Sequence, residues 1–151
     1  MSILDSDKIV TRLRAAFNHG NSRQQLLALA THLIHDAGPP YTSVYVYMLR
    51  GDELVLEAFS GRETEHTRIA VGRGVCGTAV ATGDDQNVGD VRAVQNYIAC
   101  NVFTRSELVV LIRRGSHTLG QIDIDSDVSD PFTTDEERAV RQIADALAVL
   151  L

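Results

Sequence analysis

Residues 107–125 read ELVVLIRRGSHTLGQIDID and contain two strand-like runs on either side of a turn signal. The first run is apolar at successive positions, which is typical of a central strand covered on both faces. The second run alternates, so that Asp123 and Asp125 share one face and the isoleucines between them occupy the other. Gly115 and Ser116 predict the turn, and the two runs together predict an antiparallel hairpin.

Helical periodicity appears at both ends of the chain. Ser6 is the predicted cap of a first helix that stops near residue 20. Ser22 is the predicted cap of a second, with Gln25 three residues later as a capping box, and Gly38 ends it. Thr133 followed by Glu136 predicts another capping box before the last helix.

The remaining segments predict an α+β fold, with a central antiparallel sheet of five to six strands and the N- and C-terminal helices packed on one face. Further strands are predicted at 42–49, 53–59 and 68–71, a short helix at 75–82, and a mostly irregular segment at 84–104. We expect a single domain over residues 1–151, with the N-terminal helices in 1–38 and the C-terminal helix in 133–151.

Composition restricts the function classes. The chain has 151 residues and a formal net charge of −6, which argues against nucleic acid as a partner because phosphate binding needs clustered Lys and Arg. No apolar run approaches the roughly 18–20 residues that a membrane span requires, and no secretory signal is visible. We therefore expect a cytoplasmic protein that binds neither nucleic acid nor membrane.

Three carboxylates are predicted to gather on one face of the sheet. A turn near Gly115 sets Glu107 opposite Asp123, and a turn at Ser116 sets it opposite Asp125. Like charges packed together raise at least one pKa, which favours a site that binds a cation or supplies a proton. The alternative is that Asp123 and Asp125 lie at a solvated strand end and cap the following turn.

The chain has two cysteines, Cys76 and Cys100. Cys76 lies near the start of the short helix, where free N–H groups and the helix dipole favour a thiolate. Cys100 lies in the irregular segment, a position that suits a reactive group. Both also fit small buried apolar positions, and the sequence does not tell whether the two sulfurs come within disulfide range.

No metal site and no cofactor are expected. The cysteines and the five histidines lack the clustered spacing of zinc ligands. Gly72, Gly74 and Gly77 match a dinucleotide-binding motif, but no βαβ unit surrounds them.

The whole chain resembles a GAF domain, and its central part is similar to the free methionine-(R)-sulfoxide reductases built on that fold. The resemblance rests on the order and spacing of five motifs: GVCGTA at 74–79, DV at 90–91, IAC at 98–100, RSE at 105–107 and DIDS at 123–126. It extends from about residue 43 to the C-terminal helix and implies a GAF-like sheet.

The resemblance also implies roles for both cysteines and for the carboxylates. The thiolate of Cys100 would attack the sulfoxide sulfur, and Cys76 would convert the resulting sulfenic acid to a disulfide. Glu107, Asp123 and Asp125 would bind the free amino acid and assist protonation of its oxygen, with Glu107 and Asp125 counted among the catalytic residues.

Tyr47, Ile98 and Ala99 complete the expected substrate-binding set. The expected partners are free methionine sulfoxide or a similar small ligand, a thioredoxin-like reductant, and a second copy of the chain in a homodimer through the first and last helices. The alternative function is a non-catalytic GAF module for small-molecule binding, signalling and dimerisation.

The chain departs from the family at three positions, one of which is Asn101, where an Asp often follows the nucleophile. The family has a third cysteine ten residues before the one that matches Cys76, and His66 stands there, where we expect a polar loop residue. A Trp in the first strand of the family's pocket wall is matched by Val44, with Tyr45 and Tyr47 nearby.

Overall fold

A computed structural model describes residues 2–94, 97 and 102–151. Within these residues the structure has four α-helices, a six-stranded sheet and one short 3-10 turn at Val91–Ala93. The helices are α1 (Ser6–Asn18), α2 (Arg23–His35), α3 (Gly74–Thr82) and α4 (Thr134–Leu150). The strands are β1 (Ser43–Arg50), β2 (Glu53–Ser60), β3 (Arg68–Ala70), β4 (Gln86–Val88), β5 (Ser106–Arg114) and β6 (His117–Ser126).

The sheet is antiparallel at every pairing, in the order β3-β2-β1-β6-β5-β4. Its two faces bury different sets of side chains because neighbouring residues of a strand point in opposite directions. Helices α1, α2 and α4 cover one face, where Val46, Ile122 and Ile124 belong to the main core. The shorter α3 covers part of the other face, where Tyr45 and Tyr47 pack with Val75. The α+β prediction, with terminal helices on one face, is confirmed.

One local prediction was incomplete and one was wrong. The described part of the segment 84–104 is mostly irregular as expected, but Gln86–Val88 forms β4, which pairs with β5 and is too short to show a period of two. Asp5, rather than Ser6, caps α1, and its carboxylate accepts from the Lys8 N–H at 3.1 Å. The Ser6 hydroxyl instead donates to Gln142 on α4 at 2.7 Å.

The predicted caps of α2 and α4 have different outcomes. Ser22 and Gln25 form the expected reciprocal capping box. At α4 the Thr133 hydroxyl accepts from the Glu136 N–H, but the Glu136 carboxylate turns into the core. There it accepts from the Tyr41 hydroxyl at 2.6 Å and from the Ile3 N–H at 2.9 Å. One buried side chain therefore joins the N-terminus, the start of β1 and α4.

None of the helices in the described part of the chain combines the length and apolar composition needed to cross a membrane.

We predict that Tyr41→Phe lowers the free energy of unfolding by roughly 1–3 kcal/mol, because the buried Glu136 carboxylate loses one of its two donors. Urea unfolding measures this loss. Tyr45→Phe is the matched control: it removes one hydroxyl that donates to the Arg62 carbonyl at the edge of the protein, and we expect a smaller loss. Equal losses for the two variants would contradict the assigned role of Glu136.

Candidate functional site

Three carboxylates lie buried on the sheet face that α3 covers. Glu107 on β5 pairs with Asp125 on β6. Asp123 lies two residues before Asp125 on β6 and points to the same face. The turn thus gives the second of the two predicted registers. The exposed fractions are 5% for Glu107, 2% for Asp123 and 3% for Asp125. The alternative of a solvated strand end for the two aspartates is therefore wrong.

The start of α3 lies over this acidic face because of a close backbone approach at Gly77. The Gly72 N–H donates to the Gly77 carbonyl at 2.8 Å, and a Cβ on Gly77 would lie 2.5 Å from the Ala70 carbonyl oxygen. Only glycine permits that contact. Cys76, the third residue of α3, is consequently directed onto the sheet and is 5% exposed.

Cys76, Glu107 and Asp123 form one compact group, which we call the thiol–carboxyl cluster. The Cys76 thiol donates to Glu107 Oε2 with a sulfur–oxygen distance of 3.7 Å. One donor atom from each of the three side chains lies within 4.8 Å of the other two, which is close enough for all three to bind one metal ion. Asp123 also hydrogen-bonds with both Glu107 and Cys76.

The electrostatics of the cluster favour neutral groups. Burial, followed by the nearby charges of Asp123 and Glu107, raises the pKa of the Cys76 thiol well above its usual value. The expectation that the N-terminus of α3 favours a thiolate is wrong, because desolvation and two acids outweigh the helix dipole. Burial also raises the pKa of Asp123, although its hydrogen bonds from Glu107 and Cys76 oppose that shift.

A small cavity of about 20 Å³ opens beside the cluster. Its lining combines the cluster with residues from β1, from the 61–67 loop and from the start of α3: Tyr47, His66, Ile69, Arg73, Gly74, Val75, Cys76, Glu107 and Asp123. This volume is about what one water molecule or one ion needs.

Two tyrosines of β1 connect the cavity to the loop after β2. The Tyr47 hydroxyl donates to the His66 carbonyl at 2.7 Å, and the Tyr45 hydroxyl donates to the Arg62 carbonyl at 2.6 Å. Val44, which was matched to the family's Trp, points to the opposite face and packs in the main core. The aromatic side chains that β1 contributes to the site face are those of Tyr45 and Tyr47.

The predicted site residues divide into three groups. The structure brings together Cys76, Glu107, Asp123 and Tyr47 around the cavity. Asp125 is buried beside them on the same face without lining the cavity, and its charge contributes to the raised pKa of Cys76. The other predicted residues lie outside the described residues: Cys100, Ile98 and Ala99.

Sequence reasoning missed two polar residues that line the cavity. His66 was interpreted as a polar loop residue, and Arg73 was not singled out. His66 lies ten residues before Cys76, where the family has its third cysteine, and this match was the one indication in the sequence that His66 belongs to the site. Arg73 lies between two glycines of the turn that begins α3, and its position next to Cys76 in sequence was the available signal. It adds one cationic side chain to an otherwise acidic site.

We predict that Asp123→Asn stabilises the protein at neutral pH. Between the usual Asp pKa of about 3.9 and the raised folded-state pKa, the folded chain binds more protons than the unfolded chain. The free energy of unfolding of the wild type therefore falls as pH rises through that window. Asn carries no such cost, so we expect a higher free energy of unfolding at neutral pH, with a gain that shrinks towards about pH 4.

Urea unfolding across this pH range tests the prediction. The exposed Asp52, in the β1–β2 turn, supplies the control variant Asp52→Asn, for which we expect little change. A wild type whose stability rises with pH over the window, or an Asp123→Asn variant that is less stable at neutral pH, would contradict the raised pKa.

Comparison with known proteins agrees with this architecture. The GAF domain family matches residues 22–151. The free methionine-R-sulfoxide reductase of Escherichia coli (strain K12) is 41% identical over 105 residues, which cover 70% of this chain. The match spans 63% of that protein, less than two thirds of its length.

Two solved structures resemble the chain over most of its length. The type II free methionine-R-sulfoxide reductase of Thermoplasma acidophilum is 34% identical, with a TM-score of 0.80 and coverage of 94% of each chain. The free methionine-R-sulfoxide reductase of Neisseria meningitidis, solved in complex with its substrate, is 30% identical. Its TM-score is 0.87, with coverage of 96% of this chain and 87% of that one. The chain therefore belongs to the GAF domain family, and it is a homologue of proteins named free methionine-R-sulfoxide reductase.

Proposed function

We propose that the protein reduces free methionine-(R)-sulfoxide to methionine. The observation that carries this proposal is the thiol–carboxyl cluster, a buried cysteine and two buried carboxyl groups at one cavity, in a chain homologous to reductases of that substrate. A fold gains no stability from packing these groups together, whereas a redox site for an amino acid uses all of them.

The charges of the site suit a free amino acid. The carboxyl groups of Glu107, Asp123 and Asp125 attract the substrate's ammonium group, and Arg73 supplies a positive charge for its carboxylate. Tyr47, with Ile98 and Ala99, would contact the side chain of the substrate. The cavity of about 20 Å³ is smaller than methionine sulfoxide, so binding requires the lining side chains to move outward.

The chemistry is a two-electron oxygen transfer. The thiolate of Cys100 attacks the sulfoxide sulfur and forms an S–S bond while the sulfoxide oxygen is protonated. The oxygen then passes to the Cys100 sulfur as the S–O bond and the new S–S bond break, so that methionine leaves and Cys100 becomes a sulfenic acid. The Cys76 sulfur then attacks the Cys100 sulfur, so that an S–S bond forms and water leaves. A thioredoxin-like dithiol reduces this disulfide and returns both cysteines to the thiol state. One sulfoxide and one dithiol thus give methionine, water and an oxidised dithiol.

The carboxyl groups have two tasks in this scheme. Glu107 accepts a hydrogen bond from the Cys76 thiol, which places it to take the thiol proton when Cys76 attacks. This help is needed because the raised pKa of Cys76 keeps the thiol protonated at neutral pH. Asp125, buried on the same face, would assist protonation of the sulfoxide oxygen.

The second candidate function is a non-catalytic GAF module that binds a small ligand. The buried, protonated Cys76 favours it, since a protonated thiol is a poor nucleophile. His66 also stands at the position of the family's third cysteine, so Cys76 is the one further thiol in the sequence that could resolve a sulfenic acid on Cys100.

We predict that the wild type consumes free methionine-(R)-sulfoxide with either thioredoxin or dithiothreitol as reductant. Cys100→Ser should reduce turnover to background with both, because it removes the attacking sulfur. Cys76→Ser should lose only the thioredoxin-dependent reaction, since excess dithiothreitol reduces a sulfenic acid directly. Chromatographic loss of the sulfoxide measures the rate, and Asp52→Asn, which alters an exposed turn, should match the wild type.

Absence of turnover by the wild type with excess dithiothreitol would rule out the reductase. Calorimetric binding of the sulfoxide without turnover would then favour the binding module. Thioredoxin-dependent turnover that survives in Cys76→Ser would contradict the resolving role of Cys76. It would leave the reductase proposal itself intact.

Four further features stay predictions. These are the thioredoxin-like reductant, a cytoplasmic location, a single domain over residues 1–151, and a homodimer through α1 and α4. Exposed apolar residues on those two helices, Phe17 and Val149, support the dimer. Light scattering at working concentration would give twice the chain mass, and a monomer would contradict it.

A further inference from the structure

The thiol–carboxyl cluster has the donor atoms of a metal site. Cys76 supplies a sulfur, while Glu107 and Asp123 each supply a carboxyl oxygen, with the three donor atoms within 4.8 Å of one another. A tetrahedral zinc ion with Zn–S of about 2.3 Å and Zn–O of about 2.1 Å separates those two ligand atoms by about 3.6 Å. The observed distance between Cys76 Sγ and Glu107 Oε2 is 3.7 Å.

A second observation points to a ligand at the same place. Asp123 Oδ1 is buried and has no hydrogen-bond partner within the described part of the chain. Asp123 is 2% exposed and lines the cavity. A buried carboxyl oxygen without a partner costs free energy. A cation in the adjoining cavity would remove this cost, and about 20 Å³ holds one ion but no amino acid.

The charge balance also favours a cation. The thiol of Cys76 and the carboxyl groups of Glu107 and Asp123 share the cavity lining with apolar side chains such as Ile69 and Val75. Arg73 is the one Arg or Lys among the described lining residues. A divalent cation bound by the Cys76 thiolate and the carboxylates of Glu107 and Asp123 leaves the bound cluster with a net charge of −1. The net charge of the metal-bound cluster is smaller in magnitude than the charge that the Cys76 thiolate and the two carboxylates carry when they are ionised without a metal.

We propose that Cys76, Glu107 and Asp123 bind one Zn²⁺ ion, with water in the fourth position. The donor set selects zinc and related borderline-soft ions, because a thiolate is a poor ligand for Mg²⁺ and Ca²⁺ and two carboxylates alone do not form a complete oxygen cage for either. Three protein ligands with one open position is the arrangement of an exchangeable zinc rather than of a closed structural site.

Zinc binding would occupy the resolving thiol and two of the substrate's carboxyl partners. Zn²⁺ and methionine sulfoxide would therefore exclude each other in the proposed reductase. Metal binding itself does not depend on that proposal, because it is measured on the free protein without substrate or reductant.

We predict that the reduced, chelator-treated full chain binds one Zn²⁺, measured by competition with a chromophoric chelator. Co²⁺ at the same site should give a thiolate-to-metal charge-transfer band. Loss of a residue that only hydrogen-bonds to a metal ligand weakens metal binding by roughly 10- to 100-fold. Cys76→Ser and Asp123→Asn each remove a ligand itself, so each should weaken Zn²⁺ binding by more than that. Asp52→Asn is the matched control for the aspartate, and it should bind as the wild type does.

Two results would overturn the site: no competition by the wild type, or unchanged affinity in Cys76→Ser. A measurement on the wild type covers the case in which a variant fails to fold. Zn²⁺ should protect Cys76 from alkylation by iodoacetamide, quantified on its peptide by mass spectrometry after a fixed exposure. Equal alkylation with and without Zn²⁺ would contradict the proposal without any substitution.

Discussion

The structure depends on one constraint, the register between β5 and β6. Because side chains alternate along a strand, the pairing of Glu107 with Asp125 places Glu107, Asp123 and Asp125 on one face and the core isoleucines on the other. A slip by one residue would turn the acids into the main core beneath α4. The strongly apolar opposite face, packed against three helices, prevents that slip. The stability of the core therefore maintains an arrangement of acids that is itself unfavourable.

The second helix layer determines the chemistry of that acidic face. Without α3, the three carboxyl groups would be solvated and ionised. With α3 held close through Gly77, Cys76 lies against them, and burial makes neutral forms more favourable than charged ones. The result is a site that holds protons at neutral pH and binds positive charge when it releases them. An ammonium group of an amino acid and a divalent metal ion both satisfy this requirement, so one geometry supports both proposals.

The sequence predicted the features that repeat along the chain, and it was less accurate where tertiary packing decides. Alternation in β6 and the glycine-flanked turn predicted the acidic face, and helical periodicity predicted α1, α2 and α4. The partner of Glu136 is set by Tyr41, which is far away in sequence, so the capping box at α4 was a reasonable but incorrect prediction. The thiolate at Cys76 was wrong for the same reason, because desolvation depends on what covers the helix terminus. Val44 matches the position of the family's Trp but faces the main core, because a family match at one position does not give the face of a strand.

The central claim is that the Asp123 carboxyl is buried in contact with Glu107 and Cys76 and holds its proton above the usual range. Carbon-13 NMR of the side-chain carboxyl groups during a pH titration measures this most directly, since each carboxyl shift reports its own protonation. We predict a midpoint for Asp123 above the ordinary value of about 3.9. A midpoint for Asp123 at or below the ordinary value would contradict it.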